Sequence, residues 1–233
     1  MTSGDGQMAV DFGSKFDRSE LYYRGWLGDL TTEVDEVLSG ARTRYLKMGP
    51  TLVYADEPDH PMAFSLFTCA ALLCLYLELR ERGVEVHDFG SRMLKALSEA
   101  VAAAPARPQS QEESAAALNT SIQSLIAAGQ RSQVTQQTGA FEFDVHWVNE
   151  SDGHWVMEMR RCGICHLFGG HDAMDLVPYM CATDDVMSEA QDQGLKRTGT
   201  IALGSGCCDF DYQSGRPTAP VAEIHPERIR LVD

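Results

Sequence analysis

The stretch Lys196–Tyr212, KRTGTIALGSGCCDFDY, gathers more reactive side chains than any other part of the chain. It predicts strand, glycine turn, strand. Thr198, Thr200 and Ile201 favour extended backbone, Gly204 and Gly206 around Ser205 allow a tight reversal, and Cys208, Phe210 and Tyr212 alternate with Asp209 and Asp211. Such a hairpin would bring thiols, carboxylates and amide N–H groups to one turn. Its alternative is a buried hairpin whose cysteines only fill core space.

A thiolate nucleophile needs a base or a positive field, an aligned partner, and N–H donors for the anion formed on attack. Cys208 follows GSG, which can supply donors, and Cys181 is the second candidate nucleophile. His154 or His146 is the candidate base, with Asp184, Asp185 or Asp209 to orient it; the bland reading of either histidine is a solvated position on a strand's polar face. Glu158 is a base or substrate ligand if sunk in a pocket, and a surface neighbour of Arg160 if not. Arg197 beside Thr198 and Thr200 suits a carboxylate ligand, which guanidinium grips bidentately, or else pairs with one of many acidic side chains.

CGICH, Cys162–His166, matches the c-type haem attachment pattern, but that attachment requires export and no secretory signal opens the chain. Zinc held by Cys162, Cys165 or His166 with Cys181 and the Cys207/Cys208 pair is the other metal reading, weakened because the second half lacks a matching CxxC. The expectation is therefore no cofactor, with zinc as the alternative.

The elements that must position these groups follow from pattern. The 233 residues are 44% hydrophobic, enough for a packed core, and 19 Lys and Arg against 34 Asp and Glu give a net charge of −15. That charge argues against nucleic acid or an anionic membrane surface and leaves a small molecule or a protein as partner. Seven cysteines, an odd number, fit reduced thiols in a cytoplasm. The apolar run Met62–Leu79 approaches membrane length, yet Ser65, Thr68 and Glu78 interrupt it, so it reads as a buried helix with Cys69 and Cys74 as packing residues.

Residues 1–16 read as a flexible tail, 17–105 as a helical part, and 106–233 as an α+β part carrying the site, together one compact unit. One helix is expected from about Arg18 to Met48, a short extended piece at Thr51–Tyr54, and further helices over about His87–Ala104 and Glu113–Gln130. PARPQSQEESAA, between these last two, reads as a solvated connection, and the tail from Ser214 as a packing arm. From Phe141 the pattern alternates: Phe141, Phe143, Val145 and Trp147 on one face, then Trp155, Met157 and Met159 after a turn at Asn149–Gly153. The fold class is α+β, a helical N-terminal half followed by a small, mainly antiparallel four-stranded sheet with crossing helices. Buried helices and an acidic surface are compatible with a homo-oligomer.

Cys181, Asp184, RTGT at Arg197–Thr200, Gly204 and CDF at Cys208–Phe210 together resemble the L-2-amino-thiazoline-4-carboxylic acid hydrolase family. The resemblance runs over about His146–Tyr212. It implies a hydrolase of a small cyclic C–N bond: thiolate or activated water at a ring C=N carbon, aspartate or histidine moving protons, and Arg197 holding an acid group. The same half is distantly similar to 4-vinyl reductase type ligand-binding modules, which implies the rival class, a non-catalytic sensor or carrier.

Overall fold

The computed structural model describes residues 10–104 and 111–219. Most of the expected tail, half of the connection at Pro105–Ala116 and most of the C-terminal arm lie outside them. The chain divides into two compact units, one running up to Val84 with Gln137–Gly139, the other comprising Glu85–Gln136 and the chain from Ala140 on.

The first unit is helical. Asp11 accepts the Ser14 N–H at 3.0 Å and caps α1, Phe12–Leu27. The single helix expected over Arg18–Met48 is two, because the chain closes at Gly28: Leu30 N–H and Thr31 N–H both fold back to the Leu27 carbonyl. Thr31 Oγ1 then accepts the Glu33 N–H at 3.1 Å, and α2, Val34–Met48, begins. The extended piece expected at Thr51–Tyr54 is absent: Gly49–Thr51 is a 3-10 turn, and turns follow it. Phe12 packs edge-on against Tyr45 and Phe67, at 5.6 and 5.2 Å between ring centres.

The apolar run forms α3, Ala63–Arg80, which is long and apolar enough to cross a membrane but has 72% of its residues buried and packs against α2. Cys69 and Cys74 are buried on it, as packing residues. Its one buried charge, Glu78, is 8% exposed and accepts from Arg44 Nε at 2.5 Å and Arg82 Nη1 at 3.1 Å. Gly40 of α2 makes room for that carboxylate: a Cβ there would lie 2.4 Å from the Glu78 Cδ. Gly40→Ala is expected to push the carboxylate off its two arginines and to cost about 1–3 kcal/mol, the usual range for overpacking, read as a lower denaturant midpoint at unchanged slope. An unchanged midpoint would show that Glu78 can move without losing its partners.

The second unit carries a three-stranded antiparallel sheet in the order β1 (Glu142–Asn149), β2 (His154–Arg161), β3 (Cys208–Gln213). Period-2 alternation sets its faces: Phe143, Val145, Trp155, Met157, Met159, Cys208, Phe210 and Tyr212 are buried, and Trp155 stacks on its cross-strand partner Tyr212 at 4.2 Å. Helix α5, Gln111–Ser132, packs on β1, where the buried Ser132 Oγ accepts the Phe143 N–H at 3.0 Å. Helix α4, Val86–Ala103, meets α7, Val177–Ala190, closely enough that a Cβ on Gly90 would fall 2.3 Å from the Tyr179 ring. Between β2 and α7 lies the short α6, Gly163–Gly169.

The expected fourth strand does not form. After one bridge, Lys196 to Asp211, the Asp209 carboxylate takes the N–H groups of Thr198 (3.0 Å) and Gly199 (2.8 Å) that a ladder would have used. Ile201–Leu203 then winds into a 3-10 turn, which Gly204 ends at φ +93°.

Candidate active site

All the groups described here belong to the second unit. Arg197 leaves the Lys196 bridge with its side chain fully buried. Its Nη1 donates to Asp184 Oδ2 at 3.1 Å, its Nη2 to Asp185 Oδ1 at 2.7 Å and to the Cys181 carbonyl at 2.8 Å, and its guanidinium lies 5.2 Å from the Phe210 ring centre. One cation thereby ties α7 to β3. Burial works against the charged guanidinium, but the two aspartates outweigh it and hold Arg197 firmly protonated.

Two donors on this segment remain without a partner among the described residues: Arg197 Nε and the hydroxyl of Thr200, itself 2% exposed. The following N–H, that of Ile201, donates to Cys208 Sγ at 3.2 Å. Cys208 is 4% exposed, and burial lifts its thiol to about 11 while the Ile201 N–H and Arg197 pull the other way. The N–H that reaches this sulfur is that of Ile201, at the start of the 3-10 turn, and not one from the GSG turn.

Cys208 has three thiol neighbours. Cys162, Cys165 and Cys181 all lie within electrostatic reach of it and of one another. Cys162 sits just before α6, and its thiol is drawn below the ordinary range, despite burial, by the Cys165 thiol and by the Cys165 and Ile164 amides. Cys165 moves up, since its proton is held by Cys162. Burial raises Cys181, with Asp184 and the neighbouring thiols adding to it and Arg197 opposing. The zinc reading gains nothing from this grouping: among the described residues no three His, Cys, Asp or Glu side chains stand close enough to hold a metal ion.

Asp184 is the acid of this neighbourhood. Burial lifts its carboxyl to about 6, against the pull of Arg197 and with the push of Asp185, although its side chain keeps 43% exposure. Its proton is held more tightly in the fold than in the unfolded chain, so this group's contribution to stability falls as pH rises from about 4 to about 6. Solvent at its open side keeps the effect modest.

The other candidates are drawn elsewhere. Met159 pairs with Cys208 and His154 with Gln213, which puts His154 five residues along the strands, about 17 Å away at roughly 3.4 Å per residue, and on the opposite face. There His154 Nε2 meets Asp211 Oδ1 at 3.0 Å, so it is not a base for Cys208. Glu158 is exposed on that face and pairs with Arg160 at 2.8 Å, which is its bland reading. His146 is exposed there too. Asp209 cannot orient a histidine, because its carboxylate is taken by Thr198 and Gly199, including the Thr198 hydroxyl at 2.6 Å. The Thr198 hydroxyl is the donor in that bond, and Thr198 is exposed. His166 is exposed on α6, and Cys207 is partly exposed beside Cys208. The residues brought together are Cys208, Cys181, Cys162, Cys165, Asp184, Asp185, Arg197 and Thr200. Phe210 under the guanidinium went unassigned, although the CDFDY alternation already set it on the Cys208 face.

The model of a family described as L-2-amino-thiazoline-4-carboxylic acid hydrolase matches residues 65–212, more than half of the 233, and this span includes every residue of the cluster. No curated protein and no solved structure matches the chain significantly. With four thiols, a raised aspartate and a buried arginine all inside the matched span, the chain belongs to the L-2-amino-thiazoline-4-carboxylic acid hydrolase family.

Proposed function

We propose that the protein opens a carbon–nitrogen bond in a small ring of the thiazoline-carboxylate type, with Cys208 as nucleophile and Asp184 as the group that moves protons. The observation that carries this reading is the pair of buried, unpartnered donors, Arg197 Nε and Thr200 Oγ1, on the segment that delivers an N–H to the Cys208 sulfur. An unpaired buried donor costs roughly 1–3 kcal/mol, so a polar ligand atom received there recovers that cost beside the nucleophile. Arg197 is largely spent on Asp184 and Asp185, and its contribution to the substrate is the single Nε N–H, not a two-pronged grip on a carboxylate.

In this mechanism Asp184, ionised above about 6, accepts the Cys208 proton. The sulfur adds to the ring C=N carbon, while the Ile201 N–H steadies the thiolate before attack. The ring nitrogen takes the proton from Asp184 as the C–N bond breaks. Water, losing a proton to the same carboxylate, then releases the enzyme sulfur, and the net result is addition of water across the bond. Cys162 is the more ionised thiol, but a thiolate loses intrinsic nucleophilicity as its pKa falls. The reading presumes reduced thiols, as in a cytoplasm, and all seven cysteines are free.

The test is turnover of L-2-amino-thiazoline-4-carboxylic acid, followed by mass. The rate constant kcat is expected to rise with pH through about 6 as Asp184 ionises. Asp184→Asn should lose that limb and about 10²-fold to 10⁴-fold in kcat, the range for a general base. An acid limb that persists in Asp184→Asn would assign the proton to another group.

A further inference from the structure

The Asp209 carboxylate has no part in the proposed chemistry, yet it accepts from three donors of one short segment. The Thr198 N–H lies 3.0 Å from each of its oxygens, the Thr198 hydroxyl 2.6 Å from Oδ2, and the Gly199 N–H 2.8 Å from Oδ1. Two residues further on, the same backbone delivers the Ile201 N–H to Cys208 Sγ at 3.2 Å. Cys208 and Asp209 are consecutive on β3 and so face opposite ways. Thr198 is exposed while Thr200 and Cys208 are buried, so the segment crosses from the polar side to the buried side at the start of that strand. Ser205 holds it from the loop: its N–H donates to the Thr200 carbonyl at 3.0 Å, and a Cβ on Gly199 would lie 2.3 Å from its hydroxyl oxygen. Surface solvation does not account for an acid at this position. Asp209 stands directly opposite Glu158 on β2, where like charges repel, and Glu158 turns to Arg160 instead.

The geometry points to Asp209 as a positioning residue for the ring opening, acting through the backbone: it fixes Thr198 and Gly199 so that the Ile201 amide meets the Cys208 sulfur. This role rests on the reading of Cys208 as nucleophile. The hydrogen bonds of Asp209 end two residues short of that amide, so its removal leaves every reacting group in the chain and changes only where one N–H points.

The test is a double-mutant cycle of Asp209→Ala with Ile201→Pro, read in kcat on L-2-amino-thiazoline-4-carboxylic acid. Proline deletes the N–H itself. Thr200 is already extended, at φ −136° and ψ 148°, as the residue before a proline prefers, and Ile201 opens the 3-10 turn, a first position that suits proline. Each single change is expected to lower kcat by about 10²-fold, the scale of a misplacement of about 1 Å. The double variant should also lose only about 10²-fold, because both changes act through one hydrogen bond; independent effects would multiply to about 10⁴-fold. Asp209→Asn keeps one acceptor oxygen for the two amides and should recover part of kcat, and it takes the place of Asp209→Ala in the cycle if the alanine variant does not fold. Hydrogen exchange at the Ile201 amide, followed by NMR, needs no turnover and should quicken at least about tenfold in Asp209→Ala. A multiplicative loss in the double variant, or an Ile201 amide that exchanges at the wild-type rate, overturns the assignment. A wild-type protein that leaves the substrate intact removes the hydrolase reading instead, and the exchange comparison then decides by itself whether Asp209 holds the amide.

Discussion

Replacing Cys208 with alanine is expected to cut ring opening by at least about 10³-fold, toward the losses seen when a covalent nucleophile is removed. The fold should survive the change. Cys208 is buried at the first position of β3, but among the described residues its sulfur accepts one hydrogen bond, from Ile201. Loss of the sulfur leaves a small cavity and one unpaired N–H, together roughly 1–3 kcal/mol and a few degrees of melting temperature. Cys162→Ala and Cys181→Ala are the controls, and each should keep kcat within about tenfold of wild type, since neither is placed by the Ile201 amide and the unpartnered Thr200 hydroxyl. Wild-type turnover in Cys208→Ala, with loss in Cys162→Ala, would transfer the nucleophile to the CxxC pair. Retained activity in all three would leave activated water as the attacking group.

Replacing Arg197 with methionine should have the largest effect on stability. The guanidinium is fully buried and hydrogen-bonds both Asp184 and Asp185 across α7 and the 197–200 segment. Methionine fills most of the volume but takes the cation away from two crowded carboxylates, and breaking a buried pair in this way costs about 3–5 kcal/mol. A fall of roughly 10 °C in melting temperature is expected for a chain of this size. The loss should also depend on pH. Asp184 lies at about 6 even with its cation present. Without that cation its pKa moves further up, so the variant recovers part of its deficit on acidification below about 6, as the carboxyl takes a proton and needs no partner. Arg197→Lys should recover only part of the stability, because one ammonium cannot reach two carboxylates, the Cys181 carbonyl and the Phe210 face together. A melt within a degree or two of wild type in Arg197→Met would mean that the aspartates reach solvent unaided.

What a reader of the sequence could locate, and what was hidden, divides along a physical line. The apolar run at Met62–Leu79 and the alternation after Phe141 are local periodicities, and both became the elements they announced, α3 and the β1–β2 hairpin. The break at Gly28 was hidden because the residues after it continue a helical spacing; only the return of Leu30 and Thr31 amides to the Leu27 carbonyl ends the helix. The fourth strand failed because a carboxylate on β3 competed for amides that the β-forming residues Thr198 and Thr200 seemed to commit to a ladder.

For the candidate site, residue chemistry singled out Cys208, Asp184, Arg197 and Thr200, since thiol, carboxylate, guanidinium and hydroxyl are properties of the side chains; the RTGT…CDF spacing keeps Arg197, Thr200 and Cys208 on one loop and strand, while Asp184 lies apart on α7. The tertiary structure decided which of them meet. The β2–β3 register sent His154 and Glu158 to the far face, packing of α7 beside β3 brought two aspartates to one arginine, and the turn after β2 carried Cys162 and Cys165 to Cys208 from more than forty residues away. Side-chain type is carried by each residue by itself, whereas register and helix packing are settled by burying whole faces at once, and no single stretch of the chain contains that information.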